Sequence, residues 1–389
     1  MEFVTLGDLF KISSGGTPSR REKSYYDNGD IPWIKTGDLH KCRIQQASEY
    51  ITQLGLDKSS AKLFPKGTVL LAMYGATIGA CSILDIEAAT NQACAAFLPN
   101  EKVDTNYLYY FLKSKKNNFI RDGVGGAQPN ISATYLKTVS FPLPPLETQK
   151  KIAAVLEKAD QLRKDCKLLE QELNSLAQSV FIDMFGDPVT NPKGWDKKEL
   201  LSLCSKVTDG THQSPEWAET GVPFLFISNV RNGKVDFDTG KYITRRCYEE
   251  LTRTSPIEVD DILYTTVGSY GHVALVKDNF PDFCFQRHIA HIKPDSNKVI
   301  PAFLFYQLQT SGVKHLADLA VKGIAQKTLN LKDLKKFEMI VPPEEKQLEL
   351  INYMNHQYQA LNELEQMKSD YEVLFSSLMQ KAFKGELNL

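Results

Sequence analysis

The 389-residue sequence has no apolar run approaching the ~20 residues needed to cross a bilayer, so no membrane span is expected. It has no paired cysteines. Cys42, Cys81, Cys94, Cys166, Cys204, Cys247 and Cys284 are scattered, odd in number and never spaced CxxC. That excludes a disulfide framework and a cysteine zinc site, and fits a reducing compartment, so the cytoplasm is expected. The opening MEFVTLGDLFKISSGG lacks the basic start and apolar core of a signal peptide. No GxxxxGK[ST] phosphate loop is present. Pro294-Asp295 lacks the E-x-K that would complete a common nuclease motif, and the E-x-K of Glu344-Glu345-Lys346 sits at a helix start, where acidic side chains offset the helix dipole. Charge of one sign is missing too: 46 basic and 47 acidic residues leave a net −1. A free-standing nucleic-acid binder is usually basic, so any such role needs local positive charge or partners that supply it.

What is present is a repeat. Ile31-Pro32-Trp33-Ile34 matches Val222-Pro223-Phe224-Leu225, and Tyr50-Ile51-Thr52 matches Tyr242-Ile243-Thr244. The Gly75 turn matches the Gly268 turn, Tyr107-Leu108-Tyr109-Tyr110 matches Phe303-Leu304-Phe305-Tyr306, Ala127-Gln128 matches Ala325-Gln326, and Pro144-Pro145 matches Pro342-Pro343. The offset drifts from 191 to 198 without breaking order, as small loop insertions would produce. Each half begins with short apolar runs punctuated by Gly, Pro, Asn and Asp, followed by a short aromatic helix near Thr105–Lys116 or Pro301–Thr310. This predicts an α+β domain in each half.

A long helix then closes each half. Ile152, Val155, Ala159, Leu162, Cys166, Leu169, Leu173, Leu176 and Val180 alternate steps of three and four, a heptad seam. From Glu147 to before Gly186 this gives about 38 residues, roughly 57 Å. In the second copy Ile351, Met354, Tyr358, Leu361 and Leu364 begin a seam that Met367, Tyr371, Leu374 and Leu378 continue, with a stammer at 358–361–364. Neither stripe can be buried alone. The expected solution is an antiparallel coiled coil related by a pseudo-two-fold; the alternative is that each stripe packs on its own domain. The expected boundaries are 1–146 and 188–344 for the globular domains, and 147–187 and 345–389 for the spacer helices. Two diverged modules on a rigid spacer make a ruler, and recognition modules on one duplex face sit one helical turn apart (~34 Å) or a multiple of it. An asymmetric bipartite DNA site with an unread gap is the expected target.

PLPPLETQKKIAAVLEKAD, the repeated VPPEEKQLELI, FGDPVTNPKGW at 185–195 and DGTHQSPEW at 209–217 resemble the specificity subunit of type I restriction–modification systems over essentially the whole chain. The resemblance implies two target recognition domains, each reading half of a bipartite double-stranded DNA site, with paired helices that set the spacing. It implies docking of two DNA adenine methyltransferase (modification) subunits, which bring S-adenosylmethionine, and association with restriction/translocase subunits that use ATP and magnesium. No cofactor belongs to this chain, and no catalysis. The residues agree: the Pro-Pro pairs follow Leu143 and Val341 rather than the Asn of an N-P-P-[FYW] motif. A scaffold joining two protein-binding modules, a self-contained nuclease or methyltransferase, and an adaptor of another methyltransferase-based defence system are the competing readings.

Base and phosphate readers should be polar side chains on loops. Four loops recur: Gly15–Arg21 (with Ser19, Arg20, Arg21) against Asp209–Ser214 (with Thr211, His212); Lys35-Thr36 against Asn229 and Arg231; the glycine turns with Thr77 against Ser269 and Tyr270, followed by Gln92 against Arg287; and Gly125–Asn130 against Gly323–Thr328. Arg245 and Arg246 are candidate phosphate contacts. Each has a bland alternative: a glycine at a hairpin is ordinary turn chemistry, and an exposed arginine is ordinarily a solvated charge. His288 and His291 could be called a metal pair, but residues three apart on a strand face opposite ways.

Overall fold

The computed structural model describes residues 2–125, 129–231, 233–323 and 327–387. Its chain divides into two compact units. One comprises Met1–Lys167 with Gln366–Leu389, the other Leu168–Glu365. Each therefore takes half of each long helix, Leu146–Phe185 and Glu344–Lys384.

The first unit holds a five-stranded sheet in the order Ser13–Ser14, Cys94–Phe97, Val69–Ala72, Cys81–Leu84, Arg43–Ile44. Beside it lies a four-stranded sheet in the order Tyr50–Ile51, Ile31–Ile34, Ala88–Thr90, Leu63–Phe64. Strand Val69–Ala72 is buried along its whole length, which is why it reads as an unbroken apolar run. Phe3–Thr5 pairs antiparallel with Ser140–Pro142, tying the start of the domain to the strand that precedes the first proline pair. The second unit repeats the plan. Cys204–Asp209, Ile289–Pro294, Ile262–Thr265 and Val273–Leu275 form one sheet, Trp217–Ala218, Tyr242–Ile243, Val222–Leu225 and Cys284–Phe285 another, and Lys197–Glu199 closes on Glu338–Ile340. The aromatic helices run Thr105–Ser114 and Pro301–Leu308.

Both long helices start from the same joint. Gln149, fully buried, accepts from the Asp104 amide at 2.9 Å and donates to the carbonyls of Lys102 (2.9 Å) and Pro144 (2.8 Å). Gln347, also buried, accepts from the Ile300 amide at 3.0 Å and donates to Pro342 O at 2.8 Å. The repeated Pro-Pro-x-x-x-Gln is thus a clamp: the glutamine side chain satisfies backbone groups that the turn into the helix leaves unpaired.

Burial corrects the seam. In the first helix Ile152, Ala159 and Cys166 are buried, with Leu173 half-buried. The intervening row lies one residue further on: Leu156 is buried where Val155 was expected, and Leu169 and Leu176 are exposed, with Glu170 half-buried in place of Leu169. Leu162 and Arg163 share the next position, both half-buried. In the second helix the stammer disappears. The buried line runs Leu350, Met354, Gln357, Leu361, Leu364, Lys368, Tyr371, Phe375, Leu378, Ala382, always alternating four and three, with Leu361, Lys368, Tyr371 and Leu378 only partly covered. Tyr358, Met367 and Leu374 lie beside it, exposed, and Ile351 is half-buried. The apparent slip arose because the heptad carries a glutamine and a lysine, which an apolar count steps over. Gln357 is spent on the Leu173 carbonyl, to which its Nε2 donates.

In the first unit Ile152, Ala153, Leu156 and Ala159 join Phe375, Met379 and Ala382 in the domain's own core with Tyr107, Phe111 and Phe141. In the second, Phe181, Phe185, Leu350 and Met354 do the same with Phe303 and Met339. Gly186 and Gly385, both at positive φ, follow the helix ends.

At one place in its sheet the second unit buries a charged network where the first has uncharged residues. Asp261 meets His291 Nε2 at 2.6 Å and Lys293 Nζ at 2.8 Å and accepts from the Glu258 amide at 2.8 Å, while Ser255 Oγ lies 3.3 Å from His291 Nδ1. The strand registers Val69↔Phe97 and Ile262↔Ile292 put Thr68 and Ala96 in the equivalent places.

Two outcomes are expected. Gln149→Ala strands three backbone groups and should lower stability by about 3 kcal/mol in urea melts, from ~1 kcal/mol or more per orphaned group. Asp261→Asn removes the carboxylate that compensates a largely covered ammonium and should cost about 3 kcal/mol by the same measurement.

Candidate nucleic-acid interface

The recurring loops converge within each unit because the strands bring their ends together. Ile31–Ile34 runs parallel to Ala88–Thr90, and Val222–Leu225 parallel to Cys284–Phe285, so each pair releases two loops at one end. The Asn91 amide donates to Ile34 O and the Gln286 amide to Leu225 O, both at 3.1 Å. The early loop threads against the same end: Gly16 N donates to Thr90 O at 2.9 Å, Thr211 N to Phe285 O at 3.1 Å. A Cβ on Gly15 would stand 1.9 Å from Thr90 O, and one on Gly210 2.2 Å from Phe285 O, so only glycine permits this approach.

The other two loops are welded to each other. Gly75 N donates to Pro129 O and Gly268 N to Lys327 O, each at 2.9 Å, while Tyr74 bridges Asn130 and Val267 bridges Thr328. The Ala127-Gln128 and Ala325-Gln326 tips lie outside the described residues. Thr36 and Thr77, from different loops, line one cavity of about 380 Å³ in the first unit.

Individual side chains divide into presented and committed. Arg20 is clamped end-on by Glu49, with the second contact at 3.0 Å, and its guanidinium lies 4.4 Å from the Tyr26 ring centre. Lys35 Nζ meets the same carboxylate at 3.0 Å. The Arg20 hydrogen bond, helped by Lys35 and opposed by partial burial, holds the Glu49 carboxyl down at about 2. Thr17 donates to Gln92 Oε1 at 2.5 Å, fixing that amide's orientation. Ser19, Arg21, Arg231, Ser269 and Arg287 are exposed, and Arg287 Nε donates to His288 Nε2 at 3.4 Å. His212 Nε2 lies 2.8 Å from Asp209, and Thr211 is half-buried beside it. Burial, together with Arg287 and His212 nearby, lowers the His288 pKa, and burial with Arg231 and Lys314 lowers that of His272, which favours the neutral imidazole in both.

Several candidates are otherwise employed. Asn229 is buried, and its Oδ1 accepts from the Phe226 amide at 2.9 Å, capping a single turn rather than facing outward. Tyr270 is buried, with its hydroxyl on Asp318 at 2.8 Å. Arg245 and Arg246 lie on the helix Arg245–Thr252, paired with Glu249 and Asp282 and with Glu250 respectively. His288 and His291 diverge, His291 into the core on Asp261 and His288 toward the loops. The Ser255–His291–Asp261 chain has the members of a hydrolytic triad, but its imidazole is 2% exposed and no substrate reaches it.

Sequence reading missed His40, Lys41, Gln45 and Gln46, which line a second cavity of about 400 Å³ with Asp38 and Arg43. Their signal was the run HKCRIQQAS, rich in base-reading side chains. A search for residues recurring in both halves discards it, because the second half carries a short hairpin, Val230–Arg231 with Lys234–Val235, there instead.

A sequence profile of the type I restriction modification DNA specificity domain matches residues 1–177 and again residues 192–385. The chain belongs to this family. Among curated relatives, the type I restriction enzyme MjaIX specificity subunit of Methanocaldococcus jannaschii is 28% identical over 361 residues, 87% of this chain and 82% of that protein. The EcoKI specificity subunit of Escherichia coli K12 is 21% identical, covering 96% and 86%. Among solved structures, a chain from a study of assembly and conformational transition of a type I R-M system aligns with TM-score 0.64 at 18% identity, covering 99% and 98%. The S subunit from M. genitalium aligns with TM-score 0.53 at 17% identity, covering 98% and 96%. The fold is that of these two-domain specificity subunits, and the two profile matches are the two halves of the internal repeat.

The Arg20–Glu49–Lys35 cluster carries a pH signature. A carboxyl lowered on folding contributes stability that is complete above its ordinary value near 4.5 and is lost as pH falls toward about 2. Wild-type protein should therefore lose more stability between pH 6 and pH 3 than Glu49→Gln does, measured by thermal melting; equal losses would show that the cluster contributes nothing.

Proposed function

We propose that this chain is the non-catalytic DNA-recognition subunit of a type I restriction–modification enzyme. The observation that carries the reading is the duplicated specificity domain, with loop ends gathered in the same way in each copy. In this reading residues 1–146 and 188–344 are target recognition domains, each taking half of a bipartite, asymmetric double-stranded DNA site. The divergence of their loops, HKCRIQQAS in one and a short hairpin in the other, supports two different half-sites. The helices 147–187 and 345–389 pair antiparallel as the spacer and present the docking surface for two adenine methyltransferase subunits. Those partners bring S-adenosylmethionine, and restriction/translocase subunits bring ATP and magnesium chemistry. The near-zero net charge fits a protein that holds DNA together with partners, since phosphate neutralisation dominates affinity.

Arg21, Arg231, Arg287, Ser19, Ser269, His212 and Gln92 remain the proposed readers, with His40, Gln45 and Gln46 added. Arg20 and Lys35 act as a preorganised pair whose shared Glu49 fixes their reach.

Inserting matched heptads into both long helices lengthens the spacer by about 10 Å. Methylation mapping of a host carrying the variant should show both half-motifs unchanged and the gap longer by about three base pairs. A host whose methylation is indifferent to loss of this chain would refute the reading.

A further inference from the structure

The 380 Å³ cavity of the first unit has an asymmetry that neither repetition nor family membership explains. Its walls are the turn Thr36–Asp38, the glycine turn Gly75–Thr77 and the junction between helices Thr105–Ser114 and Lys116–Asp122. Two lysines line it. Lys113 is committed: its Nζ lies 3.2 Å from the buried Asp160 and within 6 Å of the ring centres of Tyr109, Tyr110 and Phe375. Lys116 is exposed and has no ion-pair partner among the described residues.

The approach of Lys116 to the turn is built in. Gly79 sits at φ +79, and a Cβ there would lie 2.8 Å from Lys116 Cγ. The second unit preserves this packing: Gly271, at φ +83, would place a Cβ 2.8 Å from Lys314 Cδ. The fate of the charge differs. Lys314 Nζ donates to Tyr270 O at 2.9 Å, lies 3.6 Å from the Tyr270 ring centre and is 3.4 Å from Asp318. One lysine of an equivalent pair is neutralised in place, while the other, exposed, lines a cleft to which Thr36 and His40 also contribute.

We propose that this cleft seats a backbone phosphate of the bound duplex, with Lys116 as its counter-ion and the Thr36 hydroxyl as a hydrogen-bond donor. The assignment rests on the DNA-recognition reading and sharpens it: the first unit holds a phosphate at its glycine turn and the second does not. Phosphate suits the site better than a base edge, since a flexible ammonium is a point charge without the planar fork that reads guanine.

The test uses the chain assembled with its modification partner and a duplex carrying the motif found by methylation mapping, titrated across salt concentrations. Lys116→Gln should weaken binding roughly 5- to 10-fold near physiological salt and make the slope of log K against log salt shallower by about 0.9, one phosphate's worth of counter-ion release. Lys116→Arg should restore the slope, and Lys314→Gln should leave it unchanged. A Lys116→Gln complex that assembles normally and keeps the wild-type slope overturns the phosphate site while leaving DNA recognition intact. A wild-type complex that does not discriminate its motif from random duplex overturns both.

Discussion

Everything in this chain depends on one constraint: neither long helix can bury its apolar stripe alone, and neither recognition domain can close its core alone. The aromatic helix Thr105–Ser114 presents Tyr107, Tyr110 and Phe111 outward from its sheet. Its cover comes from Ile152 and Leu156 of the helix that follows and from Phe375, Met379 and Phe383 near the end of the chain. The last two dozen residues are therefore structural members of the first unit. A stripe about 40 residues long would be an aggregation hazard if left open; divided between two cores, it becomes the reason each domain is stable.

The joint where domain becomes helix has to solve a second problem. A proline pair ends the preceding strand, donates no hydrogen bonds and leaves carbonyls unpaired beside a helix start. Gln149 and Gln347 solve it with one side chain each, bonding back to the proline carbonyl and across to the aromatic helix. Since the amide reaches two elements at once, it also fixes the angle at which the helix leaves. This buried polar clamp therefore seats the start of the helix on its domain as well as adding stability.

The plan of the molecule was readable because repetition and heptad spacing survive without coordinates. Helix ends at Gly186 and Gly385 and the aromatic helices follow from local chemistry. What was not readable in the second long helix had one cause: an apolar count cannot see a polar residue on a buried line. Gln357 and Lys368 belong to the seam, and treating them as solvent-facing rotated the expected face toward Tyr358, Met367 and Leu374. The same blindness ran the other way at the interface. Asn229 and Tyr270 have side chains suited to reading DNA and stand in recurring loops, yet their hydrogen bonds are consumed internally by Phe226 and Asp318. Residue type gives capacity; only burial shows whether that capacity is spent.

The two halves show which features such a fold can vary. The glycine approaches, the weld between the turn and the hairpin, and the glutamine clamp recur because each satisfies backbone groups that would otherwise be orphaned. Side chains are under no such restriction. The second unit buries Asp261 and His291, with Lys293 half-buried against them, where the first holds Thr68 and Ala96 in the two buried places, and it neutralises Lys314 where the first leaves Lys116 open. The backbone thus sets where the loops converge, and the charges on them are left to change independently. Two copies of one scaffold can therefore come to read different sequences without altering the frame that holds them.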